Sequence, residues 1–410
     1  MIYDIYMDIA VYTLTSPLHD EKTTNAVSAD FIAEIEEKLG VGMDFRGPDF
    51  SGYGSHDLDL VFVRTGGTEG LFKEVFPSLE GRIVLLTSGK SNSLAASMEI
   101  LSYLNQQGRE GEIIHGNASY IAKRIVTLAK VKAARRKLRG QNLGIIGQPS
   151  NWLISSAPDR EAVKNLLGIN LIDIPIEELI EEYGRTEAAS SDIASVIPDS
   201  LGKYSEGALK IYHALKTIID RYRLSGLTLR CFDLLDTLGN TGCLALAMLN
   251  TEGIPAGCEG DVPALLTMSI GQALTGTCGF QANPSRIDPE TGEMLFAHCT
   301  VPFGMVMKYS FNTHFESGIG IAVHGEMPEG DATIFKISGD LSHHFCCSAE
   351  LLRNQYENNL CRTQIVLKIK ENASSICRNY FLSRPIGNHH IVFTGNQTYL
   401  FEAFMAGVRA

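Results

Sequence analysis

Cysteine is absent from the first 230 residues of this chain; all nine cysteines lie between Cys231 and Cys377, and no two are spaced C-x-x-C. The odd number and the spacing support neither a zinc ribbon nor a thioredoxin motif, so reduced thiols are expected. Basic residues are also short. Lys and Arg total 35 against 47 Asp and Glu, a formal charge of -12 and a pI near 5.4, which works against a phosphate-backbone partner. The one strongly basic run, KVKAARRKLR at Lys130–Arg139, continues a helical pattern and reads as a solvated helix end. No window approaches the run of about 18 to 20 apolar residues that a membrane span needs. The opening MIYDIYMDIAVYTL carries neither a basic leader region nor a small-residue cleavage site, so a cytoplasmic protein is expected. No internal repeat and no low-complexity tract occurs.

What remains is an ordinary globular composition, 44% hydrophobic and 20% charged, spread over 410 residues and enough for two or three cores. Short continuous apolar runs alternate with helical patterns in the first part. Leu58–Val63 and Arg82–Thr87 read as strands, Ser91–Gln107 as a helix, and Glu112–His115 as another strand. Strands apolar throughout and separated by helices imply a parallel sheet covered on both faces. The pattern restarts after a long helix at Ala118–Leu138, with strands at Leu143–Gly147, Asn170–Ile174, Gly226–Phe232 and Ala256–Glu259 and helices at Ser205–Leu224 and Val262–Leu274. From Cys278 the texture changes to short alternating runs, such as Ser317–His324, Thr333–Ser338, Gln364–Lys370 and His390–Thr394, before a C-terminal helix at Gln397–Val408. The fold class expected is therefore α/β: two Rossmann-like doubly wound domains, 1–140 and 141–277, followed by a β-rich C-terminal domain, 278–410.

Seven of the eleven histidines fall after residue 297, in the β-rich part. Most invite a bland account; His343-His344 reads as a loop feature. Glu259 and Asp261 are better placed, in Cys258-Glu259-Gly260-Asp261-Val262, where a strand's carboxyl end meets a helix start. In open parallel sheets ligands bind in that crevice. Asp261 also suits the N-cap of the helix that follows, a role Glu259 fits poorly. His298 closes one apolar stretch and His389 immediately precedes another. Together with Glu259 they offer nitrogen and carboxylate ligands suited to a divalent ion such as Mn²⁺, with positions left open for substrate oxygens. His314 and Glu316, two apart in THFESG, share one strand face if that stretch is a strand and are candidates for lining the same pocket. Ser88-Gly89-Lys90-Ser91 lacks the upstream glycine of a Walker loop, which removes nucleotide binding. The glycine loop Thr65–Gly70 is explained by turns that need positive φ.

The stretch Cys258–Met268, continuing through Gln272-Ala273-Leu274-Thr275-Gly276, and the later Gly387-Asn388-His389 before an apolar strand, resemble segments of the L-fucose isomerase and L-arabinose isomerase superfamily. The two α/β domains with a β-rich third also match that layout. The resemblance implies Glu259 as a metal ligand that doubles as acid/base, His389 as a histidine ligand with Asn388 beside the substrate, and His298 as a further ligand. The second acid of the fucose enzymes falls on Gln281-Ala282-Asn283, most simply on Asn283. An amide oxygen ligates a hard cation but cannot accept a proton, which leaves Asp261 or a water as the substitute. The resemblance also implies a homo-oligomer, a trimer or hexamer.

The function expected is a metal-dependent aldose–ketose isomerase acting on a sugar or sugar derivative through an ene-diolate. Two alternatives stand beside it: a metal-dependent carbon–carbon lyase or transferase on a ketose, and a carbohydrate-binding protein without turnover. A small-molecule sugar is the expected partner, with no nucleic acid and no membrane.

Overall fold

The computed structural model describes residues 7–187 and 192–408. The chain divides into two units, one ending at Ala133 and the other beginning at Ala134. In the first, β1 (Ile9–Leu14), β2 (Asp44–Gly47), β3 (Leu58–Val63), β4 (Ile83–Thr87) and β5 (Gly111–Ile114) form a parallel sheet in the order β2-β1-β3-β4-β5. Period-two alternation sends neighbouring side chains to opposite faces. Ile9, Val11, Leu60, Phe62 and Val84 enter one core with α1 (Glu21–Leu39) and α4 (Ala118–Leu138). Tyr12, Val61, Val63 and Leu85 enter another with α2 (Glu69–Val75) and α3 (Ser93–Gln106). Both faces are covered, which is why β1, β3 and β4 are buried along their whole length and largely apolar rather than alternating, whereas β2 at the edge is polar and mostly exposed.

The second unit contains a smaller parallel sheet, β6 (Asn142–Ile146), β7 (Asn170–Ile174), β8 (Leu224–Leu229) and β9 (Ala256–Cys258), in the order β7-β6-β8-β9. Its helices are α5 (Arg160–Ala162), α6 (Ile176–Arg185), α7 (Gly202–Tyr222), α8 (Asp233–Leu238), α9 (Cys243–Thr251) and α10 (Val262–Thr275). There follow β10 (Phe280–Ile287), β11 (Glu293–His298), a hairpin of β12 (Lys308–Asn312) and β13 (Ala322–Glu326), then β14 (Gly330–Ile337), β15 (His344–Gln355), β16 (Thr363–Ile369), α11 (Ala373–Ile376), β17 (His390–Thr394) and α12 (Thr398–Ala406). Six of these strands close an antiparallel barrel in the order β10-β11-β16-β15-β14-β17. The β-rich texture from Cys278 is thus a closed barrel, whose strands leave no open edge. The expected strand at Ser317–His324 is replaced by a turn, and β13 starts only at Ala322, because Gly318 and Gly320 take φ of 68° and 71°. Among the described residues no helix is long and apolar enough to cross a membrane.

The joint between sheet and barrel is α10, which touches β8 and β9 on one side and β14 and β17 on the other. It is buried from Val262 to Gly271, and Asp261 caps it by accepting from the Ala264 N–H at 2.8 Å. Close approach at Gly271 fixes the spacing: a Cβ there would lie 2.2 Å from Cζ of Phe393, a buried ring on β17. Gly271→Ala is expected to lower stability. Overpacking costs about 1–3 kcal/mol, more than the ~1 kcal/mol that alanine adds to a helix interior. A chemical-denaturation midpoint at or above that of the parent would show that the joint is slack.

Candidate metal centre

Barrel register brings the site together. On β10, Ala282 pairs with His390 of β17 and Asn283 pairs with Ala297 of β11, so His389 and His298, one residue away on either flank, meet beside Asn283. Glu259 reaches the same place from the sheet. It follows β9 with φ of 65°, a left-handed conformation rare for a side-chain-bearing residue. That backbone is clamped: the Ser150 N–H donates to the Glu259 carbonyl at 2.9 Å. A Cβ on the next residue, Gly260, would lie 2.6 Å from the Gln148 carbonyl oxygen. Only glycine fits, and the turn it permits aims Glu259 away from the sheet.

The ligating atoms of Glu259, His298 and His389 all lie within 4.8 Å of one another, and all three residues are buried. Glu259 Oε1 is 3.4 Å from His389 Nε2 and 4.0 Å from His298 Nε2. Its other oxygen accepts the Trp152 indole N–H at 2.6 Å. Two buried polar atoms here lack any hydrogen-bond partner, His389 Nε2 and Asn283 Oδ1. Buried polar atoms without a hydrogen-bond partner are costly unless something else engages them, and one carboxylate, two imidazoles and an amide oxygen form a donor set that could hold a metal ion. The residues present therefore fit a metal ion.

Behind the cluster runs a buried row of opposite charges. His389 Nδ1 is 2.8 Å from Asp261 Oδ2, and Lys336 Nζ lies 3.7 Å from the same oxygen. Asp261 and Lys336 are wholly buried. Burial pushes the Asp261 carboxyl up, but Lys336, His389 and the Ala264 N–H outweigh it and bring it down to about 2. Burial likewise opposes ionisation of Glu259, yet His389, His298 and Trp152 hold it at about 2. His389 loses charge stability by burial and regains more from Asp261 and Glu259, which raises it to about 9. His298 is brought down to about 3 by burial and by the neighbouring His389, and so is a neutral ligand at pH 7. His298 Nδ1 is steadied by Thr300 Oγ1 at 3.2 Å. Partners of this kind set the tautomer and aim of metal-binding histidines.

The cluster borders a cavity of about 200 Å³ at the carboxyl ends of β8 and β9, where open parallel sheets place ligands. Glu259, Asn283, His298, His314 and Glu316 line it. His314 and Glu316 arrive on the turn between β12 and β13, not on a strand face. Asp261 is not on the wall; it stands behind His389. Asn388 is exposed, and its carbonyl serves His390 Nδ1 at 2.9 Å. Sequence reasoning missed Trp152 and Lys336. The first is the chain's single tryptophan, and the second is a lysine between phenylalanine and isoleucine inside an apolar strand; both were visible oddities. It also missed Gln281, whose side-chain oxygen accepts the Cys258 N–H at 2.9 Å and ties β9 to the barrel.

No protein-family model matches the chain. It is similar to the sulfoquinovose isomerases of Priestia aryabhattai and Priestia megaterium, 24% identical over 281 residues, 64% of this chain and 61% of each relative. The sulfoquinovose isomerase of Clostridium sp. is 25% identical over 222 residues, 49% of this chain and 48% of its own. The aligned part thus spans 61% of the length of the first of these curated relatives.

Proposed function

We propose that this chain is a metal-dependent sugar isomerase that interconverts an aldose and its ketose, with Mn²⁺ as the ion. The observation that carries the reading is the convergence of Glu259, His298 and His389, from three remote segments, beside one cavity at the carboxyl end of a parallel sheet. Similarity to sulfoquinovose isomerases supports the same class of reaction.

Glu259, His298 and His389 would hold the cation, and Asn283 Oδ1, which has no hydrogen-bond partner, could join them. A divalent cation there supplies Lewis acidity toward the sugar's carbonyl and neighbouring hydroxyl oxygens, which a base as weak as Glu259 needs if it is to take the α-proton. Trp152 fixes the second Glu259 oxygen, so the carboxylate turns one defined face to the cavity. Asp261 acts through His389: by accepting from Nδ1 it keeps Nε2 directed at the cluster.

The test is a product screen on sulfoquinovose and on glucose, with chelated protein and with protein reloaded with Mn²⁺. Ketose of unchanged carbon number, formed only after reloading, is expected. Shorter products indicate a carbon–carbon lyase, and tight sugar binding without turnover indicates a binding protein; either rejects the proposal.

Metal uptake should depend on pH in a defined direction. Glu259 and His298 are already in their binding forms at neutral pH, whereas His389, raised to about 9, must lose one proton. Below that value the cation competes with the proton, so apparent Mn²⁺ affinity should rise about tenfold per pH unit between about pH 6 and 8. Calorimetric titration of the chelated protein across that range measures it, together with release of one proton per ion. A flat profile is incompatible with His389 as a ligand.

A further inference from the structure

Aldose–ketose conversion moves two protons within the sugar. One passes from C2 to C1, the other from the oxygen on C2 to the oxygen on C1, and no electrons leave the molecule. Glu259 accounts for the first. Asn283 cannot take the second, because an amide does not accept a proton, and neither can Asp261, which is wholly buried behind His389. The carboxylates and imidazoles on the cavity wall are Glu259, His298, His314 and Glu316. His298 is occupied by the ion cluster, and Glu316 is largely exposed. His314 is 7% exposed.

We infer that His314 is the carrier of the oxygen-bound proton, an inference that rests on the isomerase reading above. Its place relative to Glu259 is fixed by a run of aromatic contacts. Glu259 Oε2 accepts the Trp152 N–H at 2.6 Å, the Trp152 ring meets Phe232 edge-on at 4.9 Å, and Phe232 meets the His314 ring edge-on at 5.5 Å. Aromatic pairs in this arrangement are directional, so the run sets the distance between the two proton carriers as well as filling space. The Nδ1 atom of His314 lies 3.2 Å from Ser317 Oγ. With Nδ1–H donating to that hydroxyl, Nε2 is a base. It takes the hydroxyl proton from the C2 oxygen as that carbonyl forms and returns it to the C1 oxygen as that bond becomes single, and the ring ends as it began. Burial and the Arg362 guanidinium hold the imidazole below its ordinary value against the opposing pull of Glu259, which favours the base form. A neutral imidazole paired with a carboxylate is an arrangement known to serve enolisation.

The experiment uses the full chain loaded with Mn²⁺, acting on sulfoquinovose and on glucose. His314→Ala should lose about 10²- to 10³-fold in kcat, with KM changed less than about threefold and Mn²⁺ content unchanged. Free imidazole should restore kcat at least about tenfold, a response that loss of packing does not give. His314→Gln, which keeps polar bulk but cannot carry a proton, should be equally slow; if alanine at this position unfolds the chain, that variant decides. Full turnover in His314→Gln, or a kcat deficit that imidazole leaves untouched in a folded His314→Ala protein, overturns the inference and spares the isomerase reading. A parent protein that isomerises neither sugar removes both.

Discussion

Glu259→Gln is expected to leave the chain folded while lowering turnover by about 10³-fold or more, through loss of a ligand and a proton carrier at one position. The amide is nearly the size of the carboxylate and can still accept the Trp152 N–H, so the left-handed turn clamped by Ser150 and Gly260 has no reason to change. What disappears is the negative charge between His389 and His298. Mn²⁺ affinity should fall with activity, by at least about tenfold, as is usual when a metal site loses a partner. The paired measurements are kcat on whichever aldose the parent converts and calorimetric Mn²⁺ binding. Parent-like values for both would assign the chemistry to another residue.

Asp261→Asn is expected to act on stability more than on any local contact. Asparagine caps a helix about as well as aspartate, so the start of α10 is preserved. The buried charge is lost: Lys336 is left without the carboxylate 3.7 Å away, and His389 keeps only Glu259 to offset its proton. Breaking a buried ion pair from one side costs about 3–5 kcal/mol. The chain should therefore melt roughly 10 °C lower in the metal-free form, at the few degrees per kcal/mol usual for a unit of this size. Removing the second charge as well, in the double variant Asp261→Asn with Lys336→Met, should recover at least half of the loss, since neither partner then stays charged in an apolar setting. If the double variant is no more stable than Asp261→Asn, then Lys336 is not the partner the geometry makes it.

These predictions use residues that the sequence revealed unequally. Glu259 stood out because a short apolar strand ran into it and a helix began just after, and the cap at Asp261 followed from the same local pattern. His298 and His389 showed only as histidines at strand ends, since their meeting depends on antiparallel register across β10, which pairs segments about 100 positions apart and leaves no local trace. Trp152 and Lys336 were unusual in composition or setting, yet their partners lie 107 positions away from Trp152 and on a different element from Lys336. Ser317–His324 reads as a strand because its alternation is real, whereas the positive φ of Gly318 and Gly320, which delays β13 to Ala322, is a backbone property that either state permits a glycine. The parallel sheets were the most legible part, because burial on both faces writes continuous apolar runs. Barrel strands such as β15, HFCCSAELLRNQ, alternate between buried and part-exposed positions and carry a weaker signal, so both its length and the closure of the barrel emerged only from the pairings.

The central claim is that a cation sits among Glu259, His298 and His389. Anomalous scattering from crystals of the Mn²⁺-loaded protein, recorded near the manganese edge, addresses it directly. The account predicts one strong peak within about 2.0–2.4 Å of Glu259 Oε1, His298 Nε2 and His389 Nε2. A peak bound by other side chains, or none at saturating Mn²⁺, contradicts it.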